Sequence, residues 1–382
     1  MKPTSTLFAA LSLLSFITAT PIGETVARHE DGGHSVYVRA GQSIQAAIDK
    51  ALEGTEIVVE AGTYPEHLTV QKDGLTITGR PDARLVPPGN FTDNLCTGLA
   101  GNEISGLHPL QAGICIHGSN IHLSDFVTEH KKVLSVGNPV KGVAISGLTV
   151  SGFAGINIAA VGSRDTCISG NTIVDGGAYG ILADGSYNSV IRDNVVSQST
   201  LGSIGVCSDN FDGAKVSKND VSGYVIGLCV QTNGADIRDN NVHGNCIGTF
   251  VDPRTRGARI KNNHVGPTNA ICNAIPDIIQ PDFMRGIVVD GSTDTLVQGN
   301  VIEGQRSNGT ATGIVVRDDP CNEGGLACSL DPTPAIASRN LVVGNTLRNN
   351  DVDLGLASIG DRNIFKRNDC RTSSPRGLCR RT

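Results

Sequence analysis

The chain reads Ile168-Ser-Gly-Asn171, Ile191-Arg-Asp-Asn194, Val216-Ser-Lys-Asn219, Ile237-Arg-Asp-Asn240 and Ile260-Lys-Asn-Asn263. One phrase, aliphatic-x-x-Asn, therefore returns every 21 to 25 residues. A fixed period of this size indicates a repeat architecture, in which each repeat is one structural unit stacked on its neighbours.

A second phrase, Gly followed by alternating residues, lies between successive Asn phrases. It occurs as Gly180-Ile-Leu-Ala, Gly205-Val-Cys-Ser, Gly227-Leu-Cys-Val and Gly248-Thr-Phe-Val. Alternation predicts a strand, and the short Gly-, Asn- and Asp-rich connections leave no room for a crossover helix. Each repeat is therefore predicted to be one coil of an all-β solenoid.

The same register continues toward both ends of the chain. Asn phrases end at Asn300, Asn345 and Asn368, and further glycine phrases are predicted at Gly113, Gly155, Gly286, Gly313 and Gly355. Two Asn intervals are long, with 37 residues before Asn300 and 45 residues before Asn345. We expect one coil in each of these intervals, carrying an inserted loop over residues 264–285 or 317–340.

Composition narrows the class of protein. The 382 residues include 47 Gly and are 39% hydrophobic and 18% charged, which suits a turn-rich chain with a continuous core. The net charge is −6, from 31 Lys and Arg against 37 Asp and Glu, so no general electrostatic attraction to nucleic acid or to an anionic membrane is expected. We expect a monomer.

The N-terminus predicts export. Residues 1–19 contain Lys2 and an apolar run from Leu7 to Ile17, which is typical of a secretory signal peptide and too short to span a bilayer. The 11 cysteines are ordinary in an oxidising compartment, so a secreted, extracellular protein is expected. Asn90-Phe-Thr and Asn308-Gly-Thr have the form of glycosylation sites.

A flexible leader over residues 20–35 is predicted to precede the solenoid. An amphipathic helix then begins after Ser43, with Ile44, Ala47, Ile48, Ala51 and Leu52 on one face and Gly54 as its stop. Such a helix covers the exposed first coil of a solenoid. The β-helix domain is expected over residues 36–370, and residues 371–382 are interpreted as a solvated tail.

The run from Ser43-Ile-Gln-Ala-Ala-Ile-Asp through Gly62-Thr-Tyr-Pro-Glu66 to Leu75-Thr-Ile-Thr-Gly79, followed by Asn-punctuated coils, resembles the right-handed parallel β-helix proteins of the pectin-lyase-like superfamily. The resemblance implies a single-stranded right-handed parallel β-helix over nearly the whole mature chain. It implies no single activity, because that fold hosts lyases, hydrolases, esterases, epimerases and non-catalytic proteins. The polygalacturonase motif order, the Trp-containing pectate lyase signature and the Asp-Pro-His-Asp string of the alginate epimerases are all absent.

The glycine register predicts a file of outward side chains. Residues two and four after each Gly should face outward, because side chains alternate along a strand. The fourth positions read His117, Ala159, Asp184, Asp209, Gln231, Asp252, Asp290, Arg317 and Ile359. With coils ~4.8 Å apart, neighbouring acids would be roughly 5 Å apart at the backbone, and Asp209 and Asp252 near 10 Å. A separation of about 5 Å suits a retaining glycosidase, and a separation of 6.5 to 9.5 Å suits an inverting one. Repulsion between neighbouring carboxylates would also raise the pKa of one of them.

The aspartates also have a structural interpretation, as residues that stabilise turns. Asp184-Gly185, Asp252-Pro253 and Asp290-Gly291 are turn sequences, in which the aspartates would accept nearby backbone N–H groups. The Asn column is interpreted as structural, because buried Asn ladders satisfy turn backbone groups coil after coil.

The preferred site is a groove between the inserted loops and the acidic column, around Asp252, Asp290 and Arg317, because long loops on a regular scaffold commonly carry binding. The catalytic candidates are Asp209, Asp252 and Asp290. The candidates for substrate binding are Asp184, Gln231, Arg254 and Arg317. No metal site is predicted, although Ca²⁺ on the aspartates would accompany a lyase reaction.

The coil register also predicts which cysteines form disulfides. Cys207 and Cys229 occupy the same outward position on adjacent coils and are predicted to form a disulfide. Positions within single loops or near the insertions suggest the remaining pairs, which are Cys321 with Cys328, Cys370 with Cys379, Cys246 with Cys272 and Cys96 with Cys115, so that Cys167 is left over.

The predicted function is that of a secreted carbohydrate-active enzyme, a polysaccharide hydrolase or lyase that uses the aspartate column. Two alternatives remain open. One is a non-catalytic extracellular or cell-wall binding protein, and the other is a tailoring enzyme that acts on an apolar small molecule between the inserted loops. The scarcity of aromatic residues, 4% with no Trp, weakens every carbohydrate reading, because sugars commonly stack on aromatic rings.

Overall fold

The computed structural model describes residues 26–28, 34–102, 108–274, 284–322 and 325–379. The predicted signal peptide lies outside these residues, as do Ile275, Ile278, Ile279 and Phe283 of the first insertion. Within the described residues nearly every element is a short strand in a parallel ladder, and the fold is a right-handed parallel β-helix. Among these residues, no helix has the length and the apolar character that crossing a bilayer requires.

Two sheets build the coils, and a separate hairpin lies outside them. One sheet contains β1 (Val26–Arg28), β2 (His34–Val38), β3 (Glu56–Val59), β6 (Thr76–Gly79), β11 (Val140–Lys141), β12 (Ala144–Ser146), β15 (Ser163–Arg164), β16 (Cys167–Ser169), β19 (Tyr187–Arg192), β21 (Asp212–Ser217), β23 (Asp236–Arg238), β26 (Arg259–Lys261), β29 (Leu296–Gln298), β32 (Leu341–Val343) and β35 (Ile364–Lys366). A second sheet contains β4 (Gly62–Pro65), β5 (Leu68–Val70), β7 (Ala83–Val86), β8 (Ala112–His117), β13 (Thr149–Ser151), β14 (Ile156–Val161), β17 (Thr172–Val174), β18 (Tyr179–Asp184), β20 (Val195–Asp209), β22 (Asp220–Val230), β24 (Asn241–His243), β25 (Ile247–Val251), β27 (His264–Val265), β28 (Arg285–Asp290), β30 (Val301–Glu303), β31 (Thr312–Arg317), β33 (Thr346–Arg348), β34 (Val352–Ala357) and β36 (Ser373–Ser374). A hairpin outside the coils pairs β9 (Ser119–Leu123) with β10 (Val133–Asn138).

The interior of the coils is packed by the residues one and three after most of the predicted glycines. Ile181 and Ala183 of β18 lie in the main hydrophobic core, whereas Leu182 between them belongs to a separate cluster on the outer face. This alternation is that of a strand with one face toward a core, and it is repeated coil after coil.

The asparagine ladder is confirmed. The side-chain oxygen of Asn219 accepts hydrogen bonds from both the backbone and the side-chain nitrogen of Asn194, and Asn219 donates in the same way to Asn240. Each amide nitrogen also donates to a carbonyl of the preceding coil, as Asn219 does to Ile191. The ladder runs through Asn171, Asn194, Asn219, Asn240, Asn263, Asn300, Asn345 and Asn368.

The glycine register is confirmed over most of the stack and is wrong at two positions. On β14, Asn157 rather than Gly155 takes the glycine position, because Val161 pairs with His117 and with Asp184. On β34, Gly355 pairs with Val315, so Ala357 rather than Ile359 lies beside Arg317. The outward file therefore contains Val161 and Ala357 where Ala159 and Ile359 were expected. The four aspartates keep their predicted positions.

The two ends of the solenoid differ from the prediction. Helix α1 (Ile44–Lys50) buries Ile44, Ala47 and Ile48, but it ends at Lys50, so Leu52 is 70% exposed rather than part of the apolar face. The predicted leader contains strand β1, which pairs antiparallel with β2. The predicted tail is not simply solvated, because β36 pairs with β34 and Leu378 packs against the core.

All five predicted disulfides are present, namely Cys96–Cys115, Cys207–Cys229, Cys246–Cys272, Cys321–Cys328 and Cys370–Cys379. Cys167 is free, as expected. The first insertion contains a 3-10 helix (Ala270–Ala274), which the Cys246–Cys272 bond fixes to the coil beneath it, and the second contains α2 (Leu326–Leu330).

Candidate functional site

Two segments cover the acidic column. The first is the covering loop, residues 124–132, which connects β9 to β10 of the external hairpin. The second is the insertion that starts at Arg317 and includes α2. Between them they leave Asp184, Asp209, Asp252 and Asp290 between 0% and 4% exposed, although all four point away from the interior of the coils.

Asp209 is bound by two basic residues of the covering loop. The Lys132 ammonium contacts both carboxylate oxygens, and Nε2 of His130 lies 3.3 Å from Oδ2. Burial by itself would raise the pKa of Asp209, but the His130 hydrogen bond and the Lys132 charge together hold that pKa below its usual range. Asp209 is therefore an ionised carboxylate that fixes the loop to the column.

Asp184 lies one coil away from Asp209 and has fewer partners. Its Oδ1 accepts a hydrogen bond of 3.2 Å from the backbone N–H of Val133, while its Oδ2 is buried without a hydrogen-bond partner. Burial raises the pKa of Asp184 to about 7, with His130 acting in the lowering direction and Asp209 in the raising direction.

A single amide joins Glu129 of the covering loop to Asp252 of the column. Nε2 of Gln231 donates to Oε2 of Glu129 at 2.9 Å and to Oδ1 of Asp252 at 3.1 Å. The other Glu129 oxygen accepts a hydrogen bond of 3.2 Å from the backbone N–H of Leu326 in the second insertion. Burial first, and then the Glu129 charge, hold the pKa of Asp252 well above its usual range.

Asp290 forms a two-pronged ion pair with Arg317 on the next coil. The guanidinium Nε donates to Oδ1 at 2.9 Å and NH2 donates to Oδ2 at 2.8 Å. This geometry fixes the orientation of both side chains. The partners of all four aspartates thus come from other segments of the chain, and not from the turn residues that the structural alternative invoked.

Two neighbouring cavities open beside these residues and share Asp252 and Pro253. The Asp252 cavity, of about 480 Å³, has a floor that includes Ile226 and Phe250. Its walls are formed by Glu129, Asp252, Asp290, Arg317, Asp318, Asp319, Pro320, Asn322 and Gly325. The Lys132 cavity, of about 340 Å³, is lined by Lys132, Asp209, Phe211, Gln231 and Arg254 together with α2. Asp252 therefore lies in the wall between the two cavities.

The sequence-predicted residues separate into three groups. Asp252, Asp290 and Arg317 meet in one cavity, and Asp209 and Gln231 meet in the other. Asp184 is fully buried. Arg254 lines the Lys132 cavity, but its guanidinium binds Asp331 and Thr333 of the second insertion.

The second insertion walls the column, as predicted, whereas the described part of the first insertion contributes no residue to either cavity. It lies at the opposite end of the strands, where Cys272 and Met284 form a small apolar cluster and Ile271 is exposed.

Sequence reasoning missed the covering loop and its residues Glu129, His130 and Lys132. A signal was available, since Gly113 and Gly155 stand nearly twice the usual repeat apart and the loop contains Glu129-His-Lys-Lys132. A titratable run inside an overlong interval predicts a functional insertion. The contacts of these residues with Asp209 and Gln231 join positions far apart in the chain, which sequence spacing does not reveal.

Several solved β-helix structures are similar to this chain. They include a DFA-IIIase from Arthrobacter chlorophenolicus A6 in complex with GF2, with 11% identity, a TM-score of 0.51 and coverage of 83% of this chain and 88% of the other. An alginate lyase from Paenibacillus sp. str. FPU-7 has 14% identity, a TM-score of 0.51 and coverage of 86% and 99%. XylC in complex with xylose has 11% identity, a TM-score of 0.51 and coverage of 87% and 70%. At these identities the similarity is one of fold.

A family model described as "Periplasmic copper-binding protein (NosD)" matches residues 97–274, less than half of the chain. No curated protein matches the sequence. The described residues fit a copper ion poorly. In the cluster of Asp319, Cys321 and Cys328, both sulfurs are in a disulfide and offer no thiolate.

A second cluster, His130, Asp184 and Asp209, brings three ligand atoms within 4.8 Å of one another, but only one of them is an imidazole nitrogen and the Lys132 ammonium already occupies Asp209. Copper favours nitrogen and sulfur ligands, of which this cluster offers one. A Ca²⁺ ion would compete with the Lys132 ammonium for Asp209. We therefore assign no catalytic role to a metal at this cluster. The stacked coils, the asparagine ladder and the similar solved structures together show that the chain has the right-handed parallel β-helix fold.

Proposed function

We propose that this chain is an exported carbohydrate-active enzyme that hydrolyses a glycosidic bond in the Asp252 cavity. The observation that carries the proposal is the pair of carboxyl groups, Glu129 and Asp252, that meet on the Gln231 amide in the cavity wall. A matched pair of carboxyl groups, one protonated and one ionised, is the machinery of glycoside hydrolysis.

Asp252 is the general acid in this mechanism. Burial and the neighbouring Glu129 charge hold its pKa well above the usual range, which suits a group that donates a proton to the glycosidic oxygen of the leaving group. Glu129, whose two oxygens each accept a hydrogen bond, is the ionised partner. The unprotonated Asp252 then accepts a proton from the attacking water.

The spacing of the pair favours retention of configuration. The Glu129 and Asp252 oxygens are hydrogen-bonded to one nitrogen at 2.9 Å and 3.1 Å, so they are at most about 6 Å apart. This separation is below the ~6.5–9.5 Å of inverting enzymes and admits the ~5–5.5 Å of retaining ones. We therefore assign Glu129 as the nucleophile that forms the glycosyl-enzyme. Asp290 and Arg317 hold the sugar hydroxyls at the far wall of the cavity.

The roles first predicted for Asp209 and Asp184 are refined by their surroundings. Asp209 lines the Lys132 cavity, but its contacts with Lys132 and His130 suit a residue that positions the covering loop. Asp184, which is fully buried, supports the same loop by accepting a hydrogen bond from the Val133 N–H. Glu129 thereby stays opposite Asp252.

Export is part of the proposal. Five disulfides support an oxidising compartment, because such bonds rarely persist in a reducing cytosol. The two sequons are accessible for glycosylation, since Asn90 and Asn308 are both exposed.

A polysaccharide and oligosaccharide screen with reducing-end and ultraviolet detection tests the reaction class. We expect new reducing ends without an unsaturated, ultraviolet-absorbing product. On the substrate found, Asp252→Asn and Glu129→Gln should each lower kcat by roughly 10³-fold, the usual range for an acid–base group.

Asp125→Asn is the matched control, because Asp125 lies exposed on the same covering loop. It should leave kcat unchanged. An ultraviolet-absorbing product would replace hydrolysis with elimination. Full activity of both Asp252→Asn and Glu129→Gln would remove the site from the mechanism.

A further inference from the structure

Asp252 lies between two cavities that stand in different relations to the proposed nucleophile. Glu129 lines the Asp252 cavity and not the Lys132 cavity, whereas Asp252 lines both. In a retaining reaction the leaving group departs from the side of the anomeric carbon opposite to the nucleophile, and its oxygen receives the proton of the acid. The Lys132 cavity borders the acid without the nucleophile, so it is the cavity that can receive a leaving group.

One wall of the Lys132 cavity carries an exposed aromatic ring. Phe211 lies in the turn between β20 and β21, lines this cavity and is 38% exposed. Its ring packs against that of Tyr187, with the two centroids 5.5 Å apart, and its backbone N–H donates to the Ser186 carbonyl at 3.0 Å. The ring is therefore held by its neighbours and offers the remaining surface to a ligand.

The same lining contains two buried hydrogen-bond acceptors that lack a donor. Oδ1 of Asn210 and Oε1 of Gln231 have no hydrogen-bond partner among the described residues, and both residues line the Lys132 cavity. Asn210 is 5% exposed, and its amide nitrogen already donates to the Gly213 carbonyl. A buried acceptor without a donor costs free energy, so a ligand that brings hydroxyl donors is favoured here. An aromatic face beside such acceptors suits a sugar ring, which has an apolar C–H face and a polar edge.

The charges of the Lys132 cavity favour a neutral sugar over a uronic acid. The Lys132 ammonium contacts both oxygens of Asp209, and Nε of Arg254 donates to Asp331 at 3.1 Å. Both cations of the described lining are therefore already paired within it. A sugar carboxylate would have to break one of these pairs and would lie among the acids of the same wall, which is unfavourable. A neutral sugar leaves both pairs intact.

We propose that the Lys132 cavity is the leaving-group subsite of the enzyme and that it binds a neutral sugar unit. The apolar face of this sugar packs on Phe211, and its hydroxyls donate to Asn210 and Gln231. This inference rests on the function proposed above, and it narrows the substrate to an oligosaccharide or a polysaccharide. As Glu129 bonds to the anomeric carbon, the glycosidic C–O bond breaks, and the Asp252 proton goes to the departing oxygen, which becomes a hydroxyl of the sugar in the Lys132 cavity.

The first experiment measures sugar binding without cleavage. Saturation-transfer difference NMR follows titration of the wild-type protein with the α- and β-methyl glycosides of glucose, galactose, mannose and xylose, and with those of glucuronic and galacturonic acid. We expect a neutral glycoside to bind more tightly than the uronic acid glycosides. Phe211→Ala should weaken this binding about tenfold, and Phe211→Tyr, which keeps the ring, should stay within ~twofold of the wild type.

Phe91→Ala is the matched control, because Phe91 is also 38% exposed and belongs to the described lining of neither cavity. It should bind the neutral glycoside like the wild type. The neutral-sugar site would be overturned by equal losses in Phe91→Ala and Phe211→Ala, by binding of uronic acid glycosides alone, or by no binding to the wild type.

The second experiment tests the leaving-group role with two substrates of the same glycone. One is the oligosaccharide that the screen identifies, and the other is the glycosyl fluoride of the sugar that forms its new reducing end. Fluoride is a leaving group of a single atom and does not fill the subsite. The ratio of kcat/KM for the oligosaccharide to kcat/KM for the fluoride should fall at least ~tenfold in Phe211→Ala, and it should keep its wild-type value in Phe91→Ala.

The outcomes separate the subsite from the hydrolase. An unchanged ratio in Phe211→Ala would overturn the leaving-group role while leaving the hydrolase intact. Cleavage of neither the oligosaccharides of the screen nor the fluorides would reject the hydrolase and the leaving-group role together. The NMR titration would then still decide whether the Lys132 cavity binds a neutral sugar.

Discussion

The asparagine ladder and the aspartate column are two stacks of polar side chains built by the same repeat, yet they are satisfied in opposite ways. Each ladder residue is bonded to an identical residue on the next coil, as Asn194 is to Asn219. Each column residue has a different partner, such as Lys132 for Asp209 and Arg317 for Asp290. Identical partners on successive coils indicate that the asparagines hold the coils together. Partners that differ from coil to coil indicate that the aspartates belong to a functional site.

The difference has an electrostatic origin. An amide both donates and accepts, so a stack of amides satisfies itself without charge. Stacked carboxylates repel one another, so each needs a cation, a proton or a hydrogen-bond donor beside it. In this chain Lys132 and His130 of the covering loop bind Asp209, Arg317 on the next coil binds Asp290, and the Gln231 amide of the column joins Asp252 to Glu129.

The largest loss of stability is expected when a residue of the asparagine ladder is changed. Asn219→Ala removes the amide that accepts hydrogen bonds from the Asn194 backbone and side-chain nitrogens and donates to the Ile191 carbonyl, so these buried groups each lose a hydrogen bond. At roughly 1–3 kcal/mol per buried unsatisfied group, the free energy of unfolding should fall by about 4 kcal/mol. Denaturant titration followed by circular dichroism measures the loss.

Asn233→Ala is the comparison variant, because Asn233 is exposed and its side chain accepts one hydrogen bond, from the Arg256 N–H. It should cost about 1 kcal/mol. Equal costs for the two variants would contradict a special role of the ladder in stability.

A smaller loss of stability is expected when the salt bridge at Asp209 in the aspartate column is removed. Lys132→Met leaves the buried Asp209 carboxylate with only His130 as a basic partner, and a hydrogen bond to a charged group contributes about 2 kcal/mol. Because the lost contact holds the covering loop, trypsin should also cut residues 124–132 faster, which limited proteolysis followed by mass spectrometry would show. Lys131→Met changes the neighbouring position of the same loop, and it should leave the free energy of unfolding within ~0.5 kcal/mol of the wild type.

The sequence predicted most of the coil architecture because the repeat leaves a mark on every coil. The Asn phrases gave the ladder, and the alternating glycine phrases placed Cys207 above Cys229 in a disulfide. The register failed where another residue took the glycine position, at Asn157 and at Asp353, so a rule based on glycine alone misplaced Ala159 and Ile359.

The site was predicted only in part, because half of it does not belong to the repeat. Asp252, Asp290 and Arg317 lie on the coils and could be placed by counting residues. Glu129 and Lys132 reach the column from an irregular loop, whose path depends on tertiary contacts and not on a local period. For the same reason Arg254 was assigned to substrate although it binds Asp331 of the second insertion.

The smallest expected effect is a dependence of stability on pH. It distinguishes the aspartate column from the asparagine ladder, because the amides of the ladder do not titrate. The pKa of Asp184 is about 7 in the folded chain and 3.8 in the unfolded chain, so the folded state binds more protons between these values. Stability from this group is therefore present at low pH and is lost as pH rises through about 7. Between pH 6 and pH 8 the free energy of unfolding should fall by about 1 kcal/mol.

The isosteric variant Asp184→Asn separates this contribution from the other groups that titrate nearby, because His130, Lys132 and Asp209 remain in place around it. Denaturant titrations at pH 6 and pH 8 should show a smaller loss of stability for the variant than for the wild type, since the amide has no proton to release. The unpartnered Oδ2 of Asp184 becomes an amide position in the variant, so absolute stabilities can differ at both pH values. An identical pH dependence in the two proteins would mean that Asp184 does not change its protonation between pH 6 and pH 8 in the folded chain, which would contradict this prediction.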